Sequence, residues 1–216
     1  GSDPGVTAAF NGATHMPFED CALYMTIPNA VVIDSCDFAQ TKSLTQKLAA
    51  DNRPSYMRLI RKGFTTVYAD GSEFEIGKGV TLKTGTDVTI IASGILVDEA
   101  LKAEEQLAKE GISARVIDMH TWKPLDEELV IKAAQETGCI VTAENHQVSC
   151  GLGSAVANVL TEKCLVPLER IGIQNRFGQV GPQDFLMKEY NLTAEDIAAA
   201  VTFLASPAAG QISGTG

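Results

Sequence analysis

Ten consecutive residues, Asn11-Gly12-Ala13-Thr14-His15-Met16-Pro17-Phe18-Glu19-Asp20, carry an amide, a hydroxyl, an imidazole and two carboxylates, and hold one of the 3 histidines in the chain. Asn-Gly reads as a turn, because both residues tolerate positive φ. Pro17 suits the first turn of a helix, with Glu19 and Asp20 near its positive end. This pattern predicts a loop that presents Asn11, Thr14 and His15 ahead of a helix N-terminus, a place that suits a polar or anionic ligand. The same residues also make an ordinary turn and helix cap, so the pattern alone is a hypothesis.

Other residues invite chemistry less strongly. Arg61 follows Ser55 to Ile60, which reads as a strand, and so falls at a carboxyl sheet edge. A guanidinium there suits bidentate capture of a phosphate. Arg58 and Lys62 add positive charge in an otherwise acidic protein. Glu144-Asn145-His146 also follows a strand, where a carboxylate and an imidazole suit acid-base work or a metal. Gly151-x-Gly153 lacks the later glycine of G-x-G-x-x-G, and no acidic residue follows at the required distance, so a tight turn into a helix explains it better than a dinucleotide site.

The elements that must position these groups can be read from hydrophobic spacing. Phe18, Cys21, Ala22 and Met25 recur at helical intervals between Pro17 and Ile27. A strand over Ala30 to Ile33, an amphipathic helix over Gln40 to Ala50 and the strand over Ser55 to Ile60 form a parallel crossover unit. Arg61 to Asp70 is aperiodic and reads as a linker. Phe74 to Lys83 alternates like a short hairpin. A second series follows: strand Val88 to Ala92, a Ser93-capped helix ending at Gly111, strand Ala114 to Met119, an Asp126-capped helix ended by Gly138, strand Ile140 to Ala143, helix Ala155 to Lys163 and strand Leu168 to Ile173. Helices near Pro182 to Tyr190 and Thr193 to Leu204 close it, the last with a capping-box-like Thr193-x-x-Asp196. This order predicts an α/β protein with a doubly wound, mostly parallel sheet. We expect one unit over 1–66, a second over 67–205, and a disordered Gly-, Ser- and Ala-rich tail over 206–216. Gly1 to Gly5 reads as a frayed end or cloning remnant.

Composition excludes several classes. The 216 residues suit one and a half to two domains, and 45% are hydrophobic. No apolar run approaches the ~20 residues of a membrane span, and no secretion signal opens the sequence. With a net charge of −10 and no basic cluster, nucleic acid is not an expected partner. The 5 cysteines (Cys21, Cys36, Cys139, Cys150, Cys164) form no CxxC pair. No disulfide framework or metal site is therefore expected, and a cytoplasmic location fits best.

Gly-Ala-Thr-His-Met-Pro-Phe-Glu-Asp, then Ile27-Pro28-Asn29, Val31-Val32-Ile33, Asp37, Pro54-Ser55-Tyr56 and Arg61, resembles the pyrimidine-binding domain of the transketolase family. The remainder, to about residue 205, resembles that family's C-terminal domain. The resemblance implies an incomplete pyrimidine-binding domain followed by the C-terminal domain. It implies a thiamine-diphosphate enzyme that moves a two-carbon ketol unit between sugar phosphates. His15 would lie near the substrate carbonyl as the catalytic hydrogen-bond donor, Arg61 would bind the substrate phosphate, and Asn11 and Thr14 would contact the sugar. Asn11 stands where the family usually has Asp, and Asp3 falls where it usually has a substrate-contacting His. In the family, the Glu144-Asn145-His146 region packs at interdomain and subunit contacts, and His120-Thr121-Trp122-Lys123-Pro124-Leu125-Asp126 matches a recurring strand-to-helix turn; both read as structural.

The resemblance also implies what lies elsewhere. The family's cofactor-activating Glu and ring-clamping aromatics precede the Thr-His motif, where this chain has about ten residues, too few for strand-helix pairs of ~30 residues each. No Gly-Asp-Gly motif for magnesium (Mg) and diphosphate is present. We therefore expect the chain to be incomplete and inactive alone, without bound thiamine diphosphate or Mg. It would need an N-terminal transketolase subunit in a homo- or hetero-oligomer. Two other readings are the end of a 2-oxoacid dehydrogenase β-subunit and a purely structural or regulatory assembly domain.

Overall fold

The computed structural model describes residues 1–63 and 65–205; the expected disordered tail lies outside them. The residues form two sheets. In the first, β1 (Val31–Asp34) lies parallel to β2 (Ser55–Arg58), pairing Val31 with Ser55 and Asp34 with Arg58. Helix α2 (Phe38–Ala50) makes the crossover, and Asp37 caps it by accepting from the Gln40 amide at 2.9 Å. On the other side of β1 runs a strand from far along the chain, Thr121–Lys123, in antiparallel pairing. Before β1 comes α1 (Asp20–Met25), shorter than the apolar spacing predicts and starting after Pro17.

The second sheet has five strands. Following the first sheet's strands, β3 is Val80–Lys83, β4 Val88–Ala92 and β5 Ala114–Asp118. Thr121–Lys123 is β6, and β7 (Ile140–Gln147) and β8 (Leu168–Ile173) complete the set. Their order is β3-β5-β4-β7-β8, parallel except for the antiparallel edge strand β3. Every residue of β4 is buried. The two-residue period of the strand sends Ile90 to one side and Ile91 to the other, into two different clusters. The Ile90 cluster includes α3 (Leu96–Lys109) and the later helices α6 (Gln183–Glu189) and α7 (Ala194–Ala205). The Ile91 cluster holds α4 (Glu127–Thr137) and α5 (Leu152–Lys163). Helices on both faces are the doubly wound arrangement that the element order predicts.

Local chemistry explains most of the boundaries. Asp126 accepts from the Leu129 amide at 3.2 Å, and Gly138 closes α4 in the left-handed region. Thr193 and Asp196 cap each other's amides at 2.9 and 3.4 Å. Three expectations fail. Phe74 to Lys83 is not a hairpin: only β3 is a strand, and Phe74 is a core residue whose amide donates to Ser43 Oγ. Ser93 is not the cap of α3, because its hydroxyl donates to Asp34 Oδ2 at 3.1 Å instead. Residues 1–5 are not frayed, since Ser2 bridges Leu59 and the Asp3 amide donates to Leu59 O at 2.7 Å.

Candidate functional site

The polar loop is built from two short 3-10 segments, Gly5–Asn11 and Ala13–His15. Asn145, near the end of β7, holds the first: its Oδ1 accepts from the Val6 amide at 3.1 Å and its Nδ2 donates to Pro4 O at 3.0 Å. Gly5 permits this approach, having φ +55° and lying where a Cβ would stand 2.1 Å from Asn145 Oδ1. Ala9 is kinked at φ 45°, ψ −112°, a conformation costly for any residue with a Cβ.

His15 and Thr14 are exposed, and Thr14 Oγ1 lies 2.8 Å from His15 Nδ1. When that hydroxyl donates, the imidazole carries its proton on Nε2 and becomes a donor there. The two residues line a concavity of about 490 Å³ with Ser2, Glu19 and Phe177. Asn11 and Arg61 line a different one, of about 400 Å³, with Asp3, Thr7 and Lys62. The structure thus brings Asn11 to Arg61 and Thr14 to His15, in two concavities rather than one. A larger concavity, about 730 Å³, lies among α3, α6 and α7 and holds none of these four residues.

The expected helix N-terminus does not serve as an anion site. Helix α1 is only six residues long and its first residue, Asp20, is buried under Arg58. Arg58, read from the sequence only as added positive charge beside Arg61, is buried in an ion-pair network. Its Nε and Nη2 donate to Asp20 at 2.9 and 2.5 Å, and its Nη1 to Asp34 at 3.4 Å and Asn145 O at 3.0 Å. The guanidinium also sits 5.5 Å from the Trp122 ring centre. Burial pushes Asp20 up, but the Arg58 charge and the hydrogen bonds from Arg58 and Tyr56 outweigh it and hold the carboxyl below its usual range. Burial raises Asp34, which Arg58 only partly offsets. The available signal was an arginine inside an apolar strand, which burial permits only with a partner.

Glu144 and His146 lie within β7, which is longer than its apolar run predicts. Glu144 accepts from the Leu152 and Gly153 amides at 2.7 and 2.8 Å, so the N-terminus of α5 is already occupied by an internal acceptor. Gly151 is required there because a Cβ would stand 1.8 Å from Glu144 Oε2. This is why the Gly-x-Gly stretch offers no cradle for a phosphate. Burial pushes Glu144 up to about 8. Burial, reinforced by Arg58, lowers His146 to about 4. The neutral ring accepts from the Ala22 amide at 3.4 Å, and its Nδ1 lies 3.0 Å from Gln147 O. A second buried cluster surrounds Asp118, whose Oδ2 accepts from Gln40 at 2.5 Å and Tyr68 at 2.7 Å. Burial raises Asp118. The nearby His120 bonds Glu75 O at 3.1 Å. Both clusters fasten elements together rather than open to solvent.

Comparison with known proteins adds an independent line. Residues 3–65 match the family model for the transketolase pyrimidine-binding domain, and residues 77–197 match that for the transketolase C-terminal domain. A 6-deoxy-6-sulfo-D-fructose transketolase subunit of Clostridium sp. is 47% identical over 197 residues, covering 91% of this chain and 61% of that protein. An apulose-4-phosphate transketolase subunit of Phocaeicola vulgatus is 40% identical over 198 residues, covering 91% and 63%. A solved split-gene transketolase, described as an inactive β4 tetramer, superposes with a TM-score of 0.87 at 44% identity, covering 93% of this chain and 64% of that one. The chain therefore spans about three fifths of the length of these relatives.

Proposed function

The chain belongs to the transketolase family, and on that premise we propose that it acts as the C-terminal section of a thiamine-diphosphate-dependent transketolase, with a partner subunit supplying the N-terminal section. The reaction is transfer of a two-carbon ketol unit between sugars that carry a terminal anion. We divide the chain accordingly into a partial pyrimidine-binding domain, 1–66, and a C-terminal domain, 67–205. The observation that carries this reading is the exposed, pre-shaped loop that presents the Thr14–His15 pair, anchored from β7 through Asn145.

The described residues contain no Gly-Asp-Gly motif for magnesium and diphosphate. No group of three or more His, Cys, Asp or Glu that could hold a metal occurs among them. We therefore place that end on the partner and assign this chain the substrate side. His15, proton on Nε2, donates a hydrogen bond to a substrate oxygen as it gains charge. Asn11 bonds a sugar hydroxyl, and Arg61 clamps the terminal anion. One relative is named for a sulfonated ketose and the other for a phosphorylated one. The split-gene neighbour, an inactive β4 tetramer, supports self-association and inactivity without a partner.

Calorimetric titration with thiamine diphosphate and Mg²⁺ tests the assignment. We expect no saturable heat with this chain alone and saturable binding once the N-terminal subunit is added. Tight binding to the chain alone would contradict it.

A further inference from the structure

Asp3 is buried, yet its carboxylate is turned to Arg61, whose side chain is 71% exposed. One oxygen accepts from the Arg61 backbone amide at 3.0 Å and the other from Arg61 Nε. Asp3 is itself fixed, its amide donating to Leu59 O at 2.7 Å beside the Ser2–Leu59 bridge. A carboxylate held in this way cannot swing aside when an anion approaches. With Nε engaged, the guanidinium offers its Nη1–Nη2 edge, which makes no hydrogen bond among the described residues. Lys62 and the neutral Asn11 line the same concavity. Its walls thus carry two cations, Arg61 and Lys62, against the single carboxylate of Asp3.

We propose that Asp3 is a specificity-determining residue that tunes this concavity for a singly charged terminal group of the sulfonate class over a doubly charged phosphate monoester. The proposal rests on the reading of Arg61 as the clamp for the substrate's terminal anion. Sulfonate and phosphate both offer tetrahedral oxygens to a guanidinium fork, so hydrogen-bond geometry does not separate them. Charge does. The fixed carboxylate repels each unit of ligand charge, and above the phosphate's second pKa of about 6 the monoester bears nearly twice the charge of a sulfonate. At roughly 6 Å and an effective dielectric between that of a protein surface and water, the extra unit corresponds to about tenfold in affinity.

The test uses methanesulfonate and methyl phosphate at pH 8, titrated into the chain while following the ¹⁵N signal of Arg61 Nε–H, identified by its loss in Arg61→Lys. In the unaltered chain the two titrations give the methanesulfonate-to-methyl phosphate affinity ratio, the reference against which the variants are read. In Asp3→Asn the ratio should move toward methyl phosphate by about tenfold. Asp3→Gly, which also suits the positive φ of 52° at this position, should move it the same way and keeps the test decisive should Asp3→Asn fold poorly. A preference for methyl phosphate that neither variant alters overturns the proposal and leaves the transketolase reading standing. If neither anion moves the Arg61 signal, the proposal and the Arg61 clamp fall together.

Discussion

His15 and Arg61 are assigned different work, and their variants should separate it. In the complete enzyme, His15→Ala should lower kcat/KM by roughly 10²–10³, the usual loss for one oxyanion-stabilising donor, with little change in cofactor affinity. Arg61→Ala should act mainly through KM, and for anionic sugars rather than uncharged ones, because it removes a clamp remote from the reacting carbon. Steady-state kinetics with a matched charged and uncharged sugar reads both; equal losses for the two sugars would remove Arg61 from the site. His15, Thr14, Asn11 and Arg61 were legible in the sequence as chemistry-bearing residues. Their division between two concavities was not, because it depends on how residues 1–11 cross the end of β2, and nothing local encodes that path.

A further prediction at this scale concerns His146. Burial lowers its pKa to about 4, so between pH 6.5 and 4 the unfolded chain binds a proton that the folded chain does not. Stability must therefore fall as pH drops through that window. His146→Gln, which keeps a donor and an acceptor but cannot titrate, should flatten the decline by on the order of 3 kcal/mol. Urea unfolding at pH 7, 5.5 and 4 measures it, and parallel curves for the two proteins would refute the assignment.

Among the elements, the Arg58 network fastens α1, β1, β2 and β7 at one point. Arg58→Met would leave Asp20 buried without its cation and should cost about 3–5 kcal/mol. Asp34→Asn should cost much less, since burial already shifts that carboxyl toward its neutral form. Equal losses in the two variants, measured by denaturant unfolding, would mean that the charge pair is not what binds these elements. Ala9→Gly should stabilise the chain by roughly 1 kcal/mol, because relief of a positive-φ alanine exceeds the entropic cost of glycine. A lower unfolding midpoint in that variant would show that the Ala9 methyl contributes more than its backbone conformation costs.

Elements governed by near neighbours were readable in advance. β4 announces itself as a buried strand, Asp126 and Gly138 bound α4, and Thr193 with Asp196 opens α7. Those governed by distant partners were not. β7 continues through Glu144 and His146 because β8 pairs with it as far as Gln147–Ile173 and the α5 amides satisfy Glu144. Arg58 reads only as added positive charge until Asp20, Asp34 and Asn145, each far away in sequence, close around it. Phe74 looks like one tooth of an alternating strand until Ser43 and the β1 core claim it.

For the molecule as a whole, the apolar surface beside the His15 loop is informative. Phe10, Phe177 and Val180 are 68%, 88% and 63% exposed. Gly12 and Gly178 bring Val180 and Met16 against the loop, so this surface and the proposed site are continuous. Under the proposed function, this apolar patch bordering a polar site is where we place the contact with the second subunit. No helix among the described residues is long and apolar enough to cross a membrane.

The central claim is that this chain supplies the substrate side of a transketolase site completed by an N-terminal subunit. Its most direct test is the rate of two-carbon ketol transfer, with thiamine diphosphate and Mg²⁺ present, for each subunit alone and for their mixture. The account predicts no transfer from either subunit alone, saturable transfer on mixing, and loss of that transfer by roughly 10²–10³ when His15 is replaced by Ala. Transfer by this chain without a partner, or a mixture indifferent to the His15 substitution, would contradict it.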